Sequence, residues 1–484
     1  MNPAFLPAHR LARLIRTGKI GALELLDHYL DRVSRFDGEL KALCVLDTDT
    51  ARKRARAADR AAAKGQWWGP LHGVPMTVKE AFDVSGLPTT WGVPDLRDNI
   101  ATGNAVAVDR LLGAGAVIFG KSNVPTMLAD WQTFNPVYGT TSNPWNLARV
   151  PGGSSGGAAA ALAAGLTGLE LGSDIGGSIR NPAHYCGVYG HKPTYGICTG
   201  DGHRIPRWVT GNDIAVIGPL ARSARDLELS LKLIAGPNAH DGSAWKVTLP
   251  KAPVKPWKKW RIAVLPTADT APVDDAVQKQ IRAVADCARR LGAKVSDTAR
   301  PGFDLHEAHR VFIRLLRAAT SRAASDEAFA NFVRRAGKVR PDAGDYESWM
   351  LKGVTVTHRE WLACDEARHR MLEQWTEFFR DWDVLLCPAG ASTAFEHNQK
   401  GERWERMVPV NGAGQPSTTQ MFWAGLSGMA YLPSTVAPAG QAADGLPVGV
   451  QIVGPQYGDL TCIEFAKMLE KEFGGFVPPP AYAA

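Results

Sequence analysis

Apolar positions recur at three-to-four spacing from residue 8 to residue 64. Leu11, Leu14 and Ile15 are followed by Leu23, Leu25, Leu26, Tyr29, Leu30 and Val33, which predicts an N-terminal helical segment over residues 1–65. The rhythm then changes. Val74 to Val78 and Ala116 to Phe119 are short apolar runs bounded by glycine and read as buried strands. Gly157–Gly165 is alanine-rich and predicts a helix, and Gly218-Pro219 closes a further apolar run, Ile214 to Ile217. Helical spacing resumes over Asp226–Ile234. Residues 236–260, rich in Pro, Lys and Trp, predict a surface excursion. Beyond it lie a strand at Trp260–Leu265, a helix around 273–291 and a helical stretch from 303 to 380. Strand signals return at Val384–Leu386, Leu432–Val436 and Val448–Val453. Strands and helices alternate on both sides of the excursion, so the expected class is α/β with one large mixed sheet flanked by helices.

Composition narrows the function classes. The chain has 484 residues, 45% hydrophobic and 21% charged, as expected of a globular chain with a large core. The net charge of +7 invites a nucleic-acid reading. The densest basic stretch is Arg52, Lys53, Arg54, Arg56 and Arg60. At helical spacing it runs round the helix rather than forming a stripe, and no nucleic-acid module accompanies it, so none is expected as a partner. Seven cysteines without a CxxC pair fit reduced thiols in the cytoplasm. No stretch approaches the ~18 apolar residues of a membrane span, and no membrane partner is expected.

Three glycine-rich segments carry the candidate chemistry. Gly113-Ala-Gly115 lacks the later spacing of a dinucleotide fingerprint, and Gly152-Gly-Ser-Ser-Gly-Gly157 lacks the Gly-Lys-Ser/Thr ending of a phosphate loop. The second also matches Gly-x-Ser-x-Gly around Ser154, the nucleophile elbow of an α/β-hydrolase, but the polar, proline-broken Asn143–Pro151 is a poor preceding strand. The third is Gly172-Ser-Asp-Ile-Gly-Gly-Ser-Ile-Arg-Asn-Pro182. His72, His184, His191 and His203 have no acidic partner assignable from spacing. No His-x-His or His-Glu-x-x-His occurs, so neither a metal nor another cofactor is expected.

Taken jointly with Lys79 in Gly73-Val-Pro-Met-Thr-Val-Lys-Glu80, these segments resemble the amidase signature family. Cys186–Gly196, Gly218-Pro-Leu-Ala-Arg-Ser223 and Gly445–Gly454 follow the family pattern in order, so the resemblance runs from about residue 10 to 470. It implies a single domain over 1–484, with a catalytic core at about 66–235 and a variable, substrate-facing region at about 300–430. Two departures stand out: Thr126 replaces an acidic residue the family often has, and Trp423 and Met429 add bulk to 421–436.

The resemblance implies a hydrolase that cuts a carbon–nitrogen acyl bond through an acyl-enzyme. Ser178 would be the nucleophile, Ser154 (after a cis bond from Gly153) the relay, and Lys79 the base. The N–H groups of Ile175, Gly176, Gly177 and Ser178 would form the oxyanion hole, with Ser155, Asp174 and Arg180 holding the loops. A serine hydroxyl needs a base to become nucleophilic, and a lysine serves only when neutral, which burial favours. Glycines allow the close carbonyl approach an oxyanion hole needs. The expected substrate is a small-molecule amide, apolar or aryl. Trp349, Trp361, Trp375, Trp404 and Trp423 are either funnel walls or core. A glutaminase-like A subunit of a tRNA-dependent amidotransferase, and a carbamate or ester hydrolase, share this core as alternatives. A homodimer is compatible with the sequence.

Overall fold

The computed structural model describes residues 2–340 and 342–483. Its centre is one mixed sheet of eleven strands. From one edge to the other the strands are Leu43–Leu46, Val117–Ser122, Pro75–Lys79, Glu170–Asp174, Val216–Ala221, Tyr189–Lys192, Ser434–Gln441, Pro447–Val453, Val384–Pro388, Arg261–Val264 and Lys294–Ser296. Two parallel groups, 117–122 with 75–79 and 170–174, and 384–388 with 261–264 and 294–296, are joined by antiparallel pairs.

The predicted helices are present as Ala8–Arg16, Ala22–Leu40, Thr48–Ala63, Gly156–Ala163, Ala224–Ile234 and Asp275–Arg290. The stretch 303–380 divides into Leu305–Thr320, Asp326–Ala336, Tyr346–Val354 and His358–Asp381. On the basic helix, Ala51, Ala55 and Ala58 are buried, and Arg54 is spent on the carbonyls of Ala116 and Leu112.

Several strands depart from the expectation, among them Lys294–Ser296 at the far edge, which no apolar run announced. Leu43–Leu46 interrupts the predicted helical segment, pairing antiparallel with 117–122 at the sheet edge. Glu170–Asp174 and Tyr189–Lys192 carry too many polar residues and glycines to show an apolar run, yet every residue in them is buried. The run at 214–217 does not end at Gly218-Pro219: the strand continues to Ala221, with Pro219 opposite Leu171 and Gly218 opposite Gly172.

The sheet sets the site. Pro75–Lys79 and Glu170–Asp174 are adjacent and parallel, with Thr77 opposite Glu170 and Val78 opposite Leu171. Both strands therefore point their carboxyl ends the same way, and it is outside the carboxyl ends of the strands that open α/β sheets bind ligands. The helix Gly156–Ala163 is buried along its whole length. It packs so closely that a Cβ on Gly157 would stand 2.4 Å from the Asn123 amide nitrogen.

Candidate active site

Lys79 ends its strand with no solvent exposure. Its Nζ lies 2.7 Å from Ser154 Oγ, 3.0 Å from Ser155 Oγ and 3.0 Å from Ser173 Oγ. Burial lowers its pKa to about 7, against the opposing pull of Asp174 and Glu170. Neither acid supplies a free countercharge. Burial pushes Glu170 up to about 8, and its carboxyl is held by the Thr77 hydroxyl. Burial also pushes the Asp174 carboxyl upward, but Arg180 and the surrounding donors outweigh it and hold it below the ordinary range.

Asp174 and Arg180 form the brace beneath the Gly-Gly-Ser turn. Arg180 Nη2 donates to Asp174 Oδ1 at 2.8 Å and Nε donates to Oδ2 at 3.0 Å. The remaining Nη1 reaches the Ala424 carbonyl (2.8 Å), Ser427 Oγ (2.9 Å) and Gln451 Oε1 (2.8 Å). Asp174 also accepts the backbone N–H groups of Gly177 (2.9 Å) and Ile179 (3.0 Å). The Gly177 N–H is thus already engaged with that carboxylate, unlike the expected set of four donors facing a substrate. Removing the guanidinium would strand a buried carboxylate. Arg180→Ala should therefore cost about 3–5 kcal/mol of unfolding free energy, read by denaturant titration, with Arg180→Lys falling between it and the wild type.

Ser154 follows a cis peptide bond from Gly153. The nearest preceding strand is the two-residue Gly139–Thr140, far from the buried strand a nucleophile elbow requires. The N–H of the next residue, Ser155, donates to the Ser178 carbonyl at 3.1 Å, tying the two serine segments together. Ser154, Ser173 and Ser178 all line one cavity of about 300 Å³, as do Ile175 and Gly176.

Two contributors escaped sequence reasoning. Ser173 touches Lys79, and only its place beside Asp174 on an inconspicuous strand could have marked it. Trp131 donates from Nε1 to the Gly176 carbonyl at 2.9 Å. Its ring also closes over Gly177, where φ is +98° and a Cβ would meet Cζ2 at 2.9 Å.

The cavity walls decide between the two readings of the tryptophans. Trp91, Trp131 and Trp208 line it; the five tryptophans between 349 and 423 do not. Trp375 and Trp423 are fully buried core, as is Met429. The region 300–430 reaches the cavity through other residues, among them Leu316, Arg317, Arg403 and Met421. Thr126 opens a short turn whose Met127 and Leu128 form part of the wall.

Three of the four candidate histidines are accounted for by packing. His72 and His184 bond backbone groups, and His191 pairs with Asp459 at 3.1 Å, none of them at the cavity. His203 lines the cavity beside Phe82 and Trp91, its Nε2 unpartnered. Burial, with Lys79 nearby, lowers its pKa to about 3. Among the described residues, no three His, Cys, Asp or Glu side chains converge as a metal site would require, and no helix is long and apolar enough to cross a membrane.

Comparison with known proteins places the whole chain. The family model described as Amidase matches residues 24–463. Over 519 aligned positions the chain is 34% identical to the A subunit of the glutamyl-tRNA(Gln) amidotransferase from Anaeromyxobacter sp. (strain K), covering 98% of this chain and 99% of the relative. It is 33% identical to an acylamidase of Rhodococcus erythropolis, covering 97% and 96%. A solved bacterial aryl acylamidase of the amidase signature enzymes superposes with a TM-score of 0.79 at 25% identity, covering 96% of each chain. With the family model spanning nearly the whole chain and the fold shared by solved members, the chain belongs to the amidase signature family, hydrolases acting on amide C–N bonds.

Proposed function

We propose that the chain hydrolyses a small-molecule carboxylic amide through a serine acyl-enzyme, without a partner subunit. The observation that carries this reading is the 2.7 Å contact between a buried Lys79 and Ser154, in a cavity that Ser178 shares. Neutral Lys79 takes the proton of Ser154, which takes the proton of Ser178 as Ser178 Oγ bonds to the amide carbon. The carbonyl electrons move onto oxygen, opposite the N–H groups of Ile175, Gly176 and Ser178. Collapse breaks the C–N bond, and the amine leaves with the proton returned through Ser154. Water then repeats the sequence on the ester, releasing the acid.

The amidotransferase reading has support in the 34% identical relative. A protein of that kind must hold free glutamine, with a cation for its carboxylate and an anion for its ammonium group. The carboxylates lining this cavity, Asp130 and Asp174, are already paired with Arg406 and Arg180. Glutamine should therefore be a poor substrate. Purified chain alone, with neither tRNA nor a second subunit, should hydrolyse an apolar anilide at least about tenfold faster in kcat/KM than glutamine. The reading fails if glutamine is the best substrate, or if activity appears only after a second subunit is added.

A further inference from the structure

One wall of the cavity holds a cation that, among the described residues, has no anion. Arg317, on the helix Leu305–Thr320, is only 6% exposed and lines the same cavity as Ser178. Among the described residues it makes no ion pair. One Nη donates to the Tyr346 hydroxyl and lies 3.9 Å from Met421 Sδ, and its Nε is buried without any acceptor. Nearly every other buried arginine here is answered. Arg180 has Asp174, Arg368 has Asp213 and Asp365, and Arg222 is surrounded by carbonyls. Arg317 faces instead a second cation, Arg403, which also lines the cavity and whose guanidinium, among the described residues, is bonded only to the Ala129 carbonyl.

A buried guanidinium keeps its charge. Burial, with Arg403 nearby, lowers the pKa of Arg317 only to about 10. A charge removed from water and left unpaired is costly, so such a group is expected to find its counterion in a ligand. A planar fork with free N–H donors matches a carboxylate. Its place relative to the reacting atoms is fixed by Met421. The Met421 sulfur touches the Arg317 guanidinium, and its methyl group stands 3.3 Å from where a Cβ on Gly176 would be. One thioether end thus spans from the guanidinium to the Gly-Gly-Ser turn, several bonds from the scissile carbonyl.

We propose that Arg317, supported by Arg403, is a specificity-determining anion subsite, and that the amide hydrolysed carries a carboxylate and no ammonium group. The apolar walls from Trp91, Trp131 and Met127 hold the body of the substrate, and the guanidinium holds its far end. With Asp130 and Asp174 both paired, an α-ammonium group beside that carboxylate would find no partner. The reaction depends on the amidase reading above; the subsite itself does not.

Three anilides separate the features: glutaranilic acid, neutral valeranilide and γ-glutamyl anilide. The expected order of kcat/KM is glutaranilate first, by at least about tenfold over each of the others. The pair 4-acetamidobenzoate and acetanilide places the carboxylate on the amine half instead, so whichever pair shows the preference identifies the half that Arg317 holds. Arg317→Gln should reduce the carboxylate-over-neutral ratio at least about tenfold, and Arg317→Lys should recover part of it. Calorimetry with glutarate and with benzoate requires no turnover. The favoured carboxylate should bind the wild type and weaken at least about tenfold in Arg317→Gln, with thermal unfolding confirming that the variant is folded. Binding without turnover of any amide would defeat the amidase reading and leave the subsite standing. The subsite is overturned if neutral anilides are preferred in both pairs, or if a folded Arg317→Gln keeps the wild-type ratio and carboxylate affinity.

Discussion

Ser178→Ala should abolish amide hydrolysis, lowering kcat by about 10⁴-fold or more, while the protein stays folded. The substitution deletes the one oxygen proposed to bond to the acyl carbon and leaves most of the surrounding geometry in place. The Ser178 carbonyl still accepts the Ser155 N–H, and the Asp174–Arg180 brace does not involve the hydroxyl. Stability should therefore change little, by about 0.5–1.5 kcal/mol at most. The discriminating measurement is covalent. A phosphonate or slow ester should label wild type on the peptide containing Ser178, located by mass spectrometry, and should not label the alanine variant. An adduct on Ser154 would instead make Ser154 the nucleophile and reduce Ser178 to a neighbour. The Ser154→Ala variant is a useful contrast: with the attacking oxygen present but its proposed proton route broken, labelling of Ser178 should slow rather than move.

The segments of this site were legible in the sequence because glycine and proline mark their turns, while the choice of Lys79, Ser154 and Ser178 within them came from the resemblance to the amidase signature family. Gly152–Gly157 and Gly172–Pro182 announce themselves by composition, and Lys79 closes a short apolar run that had to be a buried strand. Asp174 and Arg180, expected from the resemblance to hold the loops, lie six residues apart across a tight turn that brings the two side chains together. What stayed hidden depends on contacts distant in sequence. Glu170–Asp174 is a central strand without an apolar run, because it is buried among polar partners such as Thr77 and Ser155. Period-two hydrophobicity cannot mark a strand of that kind. Ser173 and Trp131 act through geometry alone, and nothing local distinguishes Trp131 from the other fourteen tryptophans. The choice between funnel wall and core for the five tryptophans stayed open in the sequence for a related reason. Tryptophan is mostly apolar area, and large apolar area belongs by default to the core, where Trp375 and Trp423 are found. Arg317 was invisible among 55 basic residues until its burial and missing counterion were seen.

Lys79, as the proposed base, should set the acidic limb of the pH profile. The proposed base must be neutral, and burial lowers its pKa from 10.5 to about 7. At pH 8 about nine-tenths of the enzyme then carries the competent amine, at pH 7 about half, and at pH 6 about one-tenth. The rate should therefore fall about tenfold per pH unit well below 7 and level off above 8. The direction is that of a base lost by protonation, opposite to what a protonated Lys79 acting only as a fixed positive charge would give. Lys79→Ala should lower kcat by about 10³-fold or more, and what activity remains should lack this limb. Lys79→Arg is the sharper variant. It keeps a long cationic side chain but cannot be deprotonated in the working range, so it should be as inactive as alanine even where it folds. The same shift has a thermodynamic consequence. Because the folded pKa lies below the unfolded one, the unfolded chain binds the extra proton between pH 7 and 10.5, so this group makes the fold more stable as pH rises through that window. Replacing Lys79 with methionine removes that dependence. The stability difference between wild type and Lys79→Met, followed by denaturant unfolding, should shift toward the wild type as pH rises through that same window. A flat rate profile across the acidic limb, or an arginine variant that retains activity, would remove Lys79 from the proton route. The contact to Ser154 would then be structural only.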